Sequence, residues 1–132
     1  MRFRAVIVVT LCLAGIALAA CSREPVVFGD PDAAKFSKIS TAILRQSAVD
    51  MMGRPVMIGE KFLMSLGTEF AEGHEAFLCK GDFGEIVILC PLGKYSDQIR
   101  SLKKGRPIVA HGFVTTIVPP GKQRALIAVS VE

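Results

Sequence analysis

The spacing of apolar and polar positions changes near residue 53, and the change separates two kinds of structure. Before it, Phe36, Ile39, Ile43 and Leu44 recur at helical spacing and form one apolar stripe. Asp30-Pro31-Asp32 supplies a start for that helix, with Asp30 as N-cap and Pro31 at the first helical position. Gly53-Arg54-Pro55 supplies its end, so the pattern predicts a helix over 31–51, broken near Ser47. After Gly53 the apolar runs are short and bounded by turn residues, as strands are. Residues 55–58 and 62–66 read as one strand bent at Gly59, where a glycine marks a bulge. A polar loop runs from Gly67 to Glu75, and residues 76–80 and 85–90 then form two strands joined by a tight connection. A short helix over 96–104 is capped by Ser96 and ended by Gly105. Pro107 to Ile117 is a fourth strand and Arg124 to Val131 a fifth, with a break over 118–122.

The first twenty residues have a different character. Arg2 and Arg4 precede an apolar and small-residue run from Ala5 to Ala20, the order of a secretory signal. The run is shorter than the ~20 residues that cross a bilayer comfortably. Its end, Leu18-Ala19-Ala20-Cys21, resembles the lipobox of bacterial lipoproteins, which implies cleavage after Ala20 and a palmitate-type acyl group on Cys21. Cysteine count supports the lipid: cleavage removes Cys12 and leaves Cys21, Cys79 and Cys90, an odd number for an oxidising compartment. Ser22 follows the cysteine in place of the Asp that resembles an inner-membrane retention signal, so the resemblance points to the outer membrane. The chain is thus expected to divide into a signal peptide (1–20), a tether (21–30) and one domain (31–132), lipid-anchored in the envelope and facing the periplasm.

Cleavage lowers the formal charge from +4 to +2, because two of 16 basic residues lie in the signal and all 12 acidic residues remain. So small an excess does not call for nucleic acid. Its distribution is uneven: residues 21–90 carry a net −3, residues 91–132 a net +5. The basic C-terminal part could attract an anionic partner; the favoured reading is that these are solvated Lys and Arg that keep a small domain soluble.

Five short strands with a helix between the third and fourth predict a mainly β domain: an OB-type Greek-key barrel preceded by an N-terminal helix. Ile88-Leu89-Cys90, Tyr95 through Leu102-Lys103-Lys104-Gly105, and Ile108-Val109-Ala110-His111-Gly112-Phe113-Val114 resemble exported OB-fold proteins of the tRNA-anticodon-binding-like superfamily. The shared pattern is a strand with a Cys, a short helix ending in Leu-x-Lys-Gly, and a strand with Gly before an apolar residue. It speaks for fold, and a periplasmic location argues against tRNA as the ligand.

Cys79 and Cys90 are the sharpest pair. A type II′ turn at Gly84-Glu85 sets Cys79 opposite Cys90, where a cross-strand disulfide would contribute roughly 3 kcal/mol. A turn from Gly81 to Gly84 instead sets Cys79 opposite Ile86 and leaves two buried thiols. Export favours the disulfide. His74 in the loop and His111 in the fourth strand are the only histidines. Without a Ser/His/Asp spacing, a zinc pattern or a phosphate loop, no enzyme, metal or cofactor is expected. OB folds generally bind on their second and third strands and adjoining loops, which here nominates the 67–75 loop, Lys80, Phe83, Lys122 and Arg124, with Lys94 and Tyr95 beside them. The expected function is a non-enzymatic binding module for a protein or oligosaccharide. The alternative is a structural or accessory lipoprotein of an envelope or secretion assembly.

Overall fold

A computed structural model describes residues 24–81, 84–117 and 126–131. In these residues lie seven strands and three short helices: β1 (Val26–Phe28), β2 (Ser37–Lys38), α1 (Thr41–Gln46), α2 (Ala48–Met51), β3 (Pro55–Gly67), β4 (His74–Gly81), β5 (Gly84–Pro91), α3 (Ser96–Ser101), β6 (Pro107–Ile117) and β7 (Leu126–Ser130). They make one mixed sheet. β3 pairs antiparallel with both β4 and β6, β4 with β5, and β6 with β7, while β5 and β7 run parallel. The path β3–β4–β5–β7–β6 therefore returns to β3.

The mainly β class is as expected, but there are seven strands and not five. The extra two come from the segment read as tether and helix. Val26–Phe28 lies parallel to Ile108–Ala110, and Ser37–Lys38 lies parallel to Val56–Met57. The expected helix over 31–51 is correspondingly reduced. Asp30 does accept an N–H bond, from Asp32 at 2.9 Å, but this closes an Asx turn. Helix begins only after Ser40, whose Oγ accepts from the Ile43 N–H at 3.3 Å, and breaks at Ser47 as the pattern indicated. The periodic Phe36 faces His111 and Phe113, with ring centroids 5.3 and 6.0 Å away. Pairing with β3 outweighed a stripe too short to sustain a long helix.

β3 is one continuous strand, and its bend is not at Gly59. Gly59 stands in register opposite Val109; the irregularities fall between Phe62 and Met64 and between Ser65 and Gly67. The reason is a change of partner. Residues 55–61 pair with β6 and residues 61–67 with β4, so the strand must swing from one neighbour to the other just after Lys61.

Alternation along β3 places Val56, Ile58 and Phe62 in the core. There Phe77 sits between Phe28 (centroids 4.9 Å) and Phe62 (5.8 Å). β5 is apolar on consecutive residues, Ile86 to Cys90, because both its faces are covered. Ile86, Ile88 and Cys90 join the main core, while Val87 and Leu89 pack with Ala76 in a second cluster roofed by Leu66, Phe70, Ala71 and Leu78.

Candidate binding surfaces

The face of β4 and β5 nominated for ligand binding is largely closed by the protein itself. Phe70 and Ala71, from the loop between β3 and β4, lie over Ala76, Val87 and Leu89, each of which is almost fully buried. The described ones among the nominated side chains, Lys80, Lys94 and Tyr95, do not converge either. Lys80 is at the β4–β5 turn end of the hairpin, opposite Glu85. Lys94 follows the other end, beyond Pro91, which pairs with His74. Six rungs at ~3.4 Å separate those ends by about 20 Å. Tyr95 is a packing residue: its ring meets Phe28 at 5.6 Å and its hydroxyl accepts from the Gly29 N–H at 3.2 Å. Lys94 lies over the same ring, 5.5 Å from its centroid. Cys21, Phe83, Lys122 and Arg124 lie outside the described residues.

What the structure offers instead is a groove of about 630 Å³ where β3 and β6 run together. Gly59, Lys61 and Leu63 line it from β3, Pro107 and Val109 from β6, Lys80 and Gly81 from the end of β4, and Lys104 and Gly105 from the loop before β6. Pro25, one residue before β1, forms part of its wall. Gly59 has open space where a Cβ would stand, which leaves bare backbone on the groove side. Glu60 also lines the groove, but its carboxylate accepts from the Thr41 hydroxyl and lies across Gly81. Lys61, Lys80 and Lys104 are exposed, and among the described residues none of them is in an ion pair. Sequence reading missed Lys61 and Lys104 because they are distant in the chain. The visible signal was Lys103-Lys104-Gly105 directly before a strand.

The expected disulfide is overturned by the register. Cys79 pairs with Ile86 and Cys90 with Glu75, four rungs apart, and both thiols are free and buried. A connection over Gly81–Gly84, with Gly84 at a φ of +130°, is what selects this alignment. Burial holds both thiols protonated far above their ordinary range. The Glu60 charge, and then Cys90, reinforce this at Cys79; at Cys90, pushed up to about 12, Glu75 does so. Unfolding lets both ionise near 9.0. Folding stability from this source is therefore complete below pH 9 and lost as the pH rises through about 12. Denaturation of the protein at mildly and strongly alkaline pH should show that fall. Iodoacetamide should spare both thiols in the native protein and label them in urea without reductant. A requirement for reductant would restore the disulfide.

His74 Nδ1 lies 2.8 Å from the Glu72 carbonyl, and His111 is buried in β6, so the two histidines stay separate. Glu75 is engaged by the Ser96 hydroxyl at 2.6 Å. Among the described residues no group of three His, Cys, Asp or Glu side chains could hold a metal ion, and no helix is long and apolar enough to cross a membrane.

No protein-family model matches the sequence, and no curated protein matches it significantly. Solved structures do match by shape. One is a crystal structure of a protein from Leishmania major Friedlin assigned as an aspartyl-tRNA synthetase, with a TM-score of 0.53 and 10% identity. The match covers 89% of this chain and 25% of that one, so this chain spans about a quarter of the larger protein's length. At that identity the likeness is one of fold, and it places the chain beside a tRNA synthetase in architecture alone.

Proposed function

We propose that this chain is a lipid-anchored, non-enzymatic binding module on an OB-type barrel, held by an acyl group on Cys21 in the outer membrane and facing the periplasm. The five-strand circuit with one parallel pair, β5 with β7, supports the barrel reading. The partner is a protein or an oligosaccharide. The observation that carries this is the exposed tip formed by the β3–β4 loop and the β5–α3 turn. The Leu92 N–H donates to the Gly73 carbonyl at 3.2 Å and ties the two together, while the Leu92 side chain stays 59% exposed beside Lys94. An exposed apolar side chain next to a cation on a tied turn suits a contact with a partner. Single-stranded nucleic acid fits less well, because binding it calls for free aromatic platforms and Tyr95 is spent on Phe28 and Gly29.

The covered outer face of β4 and β5 favours a second reading, a structural or accessory lipoprotein whose barrel is a packing unit. One experiment separates the two. A photo-crosslinking amino acid at Leu92 in living cells should give a discrete protein or glycan adduct, and one at Lys38 should not. Equal, diffuse labelling from both positions would remove the tip as a binding site and leave the accessory reading.

A further inference from the structure

The groove between β3 and β6 lies beside the point where the chain leaves for its anchor. Pro25 is part of the groove wall, and Val26 is already fixed in the sheet against Ile108. Four residue steps separate Pro25 from Cys21, which at full extension span about 14 Å. If Cys21 is acylated its position is the headgroup layer, and the Pro25 wall of the groove can then stand no further from that layer than this. Exposed Lys61, Lys80 and Lys104 line the groove. Lys103 is exposed next to Lys104, and the Arg106 guanidinium donates to the Glu24 carbonyl at 2.9 Å. Among the described residues the acidic side chains here are Glu24, Glu85 opposite Lys80, and Glu60, which is engaged by Thr41. Among the described residues, five cations against three carboxylates leave a net of +2. Screening length in physiological salt is ~8 Å, so only charges held close to a membrane feel it. A tether this short lets the Pro25 face come within that distance of the headgroups.

We infer that the lysine-lined groove docks on the phosphate headgroups of anionic phospholipids in the membrane that carries the anchor, and so fixes which end of the domain faces the periplasm. The inference rests on the lipid at Cys21. One acyl-bearing residue and a basic patch make a two-part attachment, in which the lipid gives retention and the patch gives orientation. The Leu92 tip, at the far end of the β4–β5 hairpin from Lys80, is then turned outward.

The test uses the membrane-extracted mature protein, reconstituted through its own anchor into phosphatidylcholine vesicles with or without about one-third phosphatidylglycerol. Acetylation of individual lysines by a water-soluble reagent is followed by mass spectrometry. Phosphatidylglycerol should slow Lys61, Lys80 and Lys104 about threefold or more, reversibly in high salt, and leave Lys94 unchanged. Equal rates in both vesicles, or the same protection from inorganic phosphate alone, would overturn the docking. Intact mass of the same sample reads the anchor separately. An unacylated mass overturns the anchor and the docking together, whereas an acylated mass with equal rates overturns only the docking.

Discussion

Truncation of Phe77 to alanine is expected to lower the unfolding free energy by about 3–5 kcal/mol. The ring is fully buried between Phe28 and Phe62 and belongs to the main core. Those neighbours sit on β1 and β3, which the paired backbone holds in place, so the site cannot collapse around the missing ring. A small domain has only about 5–15 kcal/mol of net stability. At about 4–8 °C per kcal/mol the melting temperature should fall by at least ~12 °C. Urea unfolding followed by circular dichroism measures the change. Val49→Ala, at a side chain 85% exposed, should be nearly neutral in the same assay. A loss below about 1 kcal/mol for Phe77→Ala would mean that the ring is not packed as described.

The second large effect is expected at Gly29, where Gly29→Ala should cost about 2–4 kcal/mol from two independent sources. Its φ of +85° is a conformation that side-chain-bearing residues adopt at a cost of roughly 1–2 kcal/mol. In addition, the new Cβ would overlap the carbonyl oxygen of His111, a residue held in the sheet opposite Met57. The overlap can be relieved only by moving β1 away from β6. Gly53→Ala is the control, because φ is +77° there but nothing stands near the added methyl. It should show the backbone cost alone. Hydrogen exchange should report faster amides over Val26–Phe28 and Ile108–Ala110 in Gly29→Ala and not in Gly53→Ala. Equal destabilisation of the two variants would remove the close approach of Gly29 to β6 from the account. The consequence extends to the groove, since β1 is what holds Pro25 against it.

Legibility in the sequence followed the range of the interaction. Alternation and turn residues are local, and they placed the strands of residues 55–117 within a few positions. The unbroken apolar run of β5 was equally plain, because a strand covered on both faces needs no polar alternation. The hairpin register was not legible. Gly81 and Gly84 allowed two alignments that differ by four in the pairing sum, and only the ladder from His74–Pro91 to Gly81–Gly84 chose between them. That choice turned an expected disulfide into two separate thiols.

The longest misreading has the same cause. Asp30-Pro31-Asp32 with a short stripe is a reasonable helix start, yet Val26–Phe28 and Ser37–Lys38 found sheet partners some 80 and 20 residues away in the chain. A local signal cannot anticipate a partner at that separation. The candidate sites behave likewise: Lys61, Lys80 and Lys104 meet only because β3 changes partner at Lys61, next to the end of β4 and the start of β6. By itself the sequence determined the β class and most strand positions of residues 55–117. Tertiary structure alone decided the register, the two added strands, the covered β4–β5 face and the groove. Those depend on pairing energy between distant segments, which outweighs the small local preferences that a sequence displays.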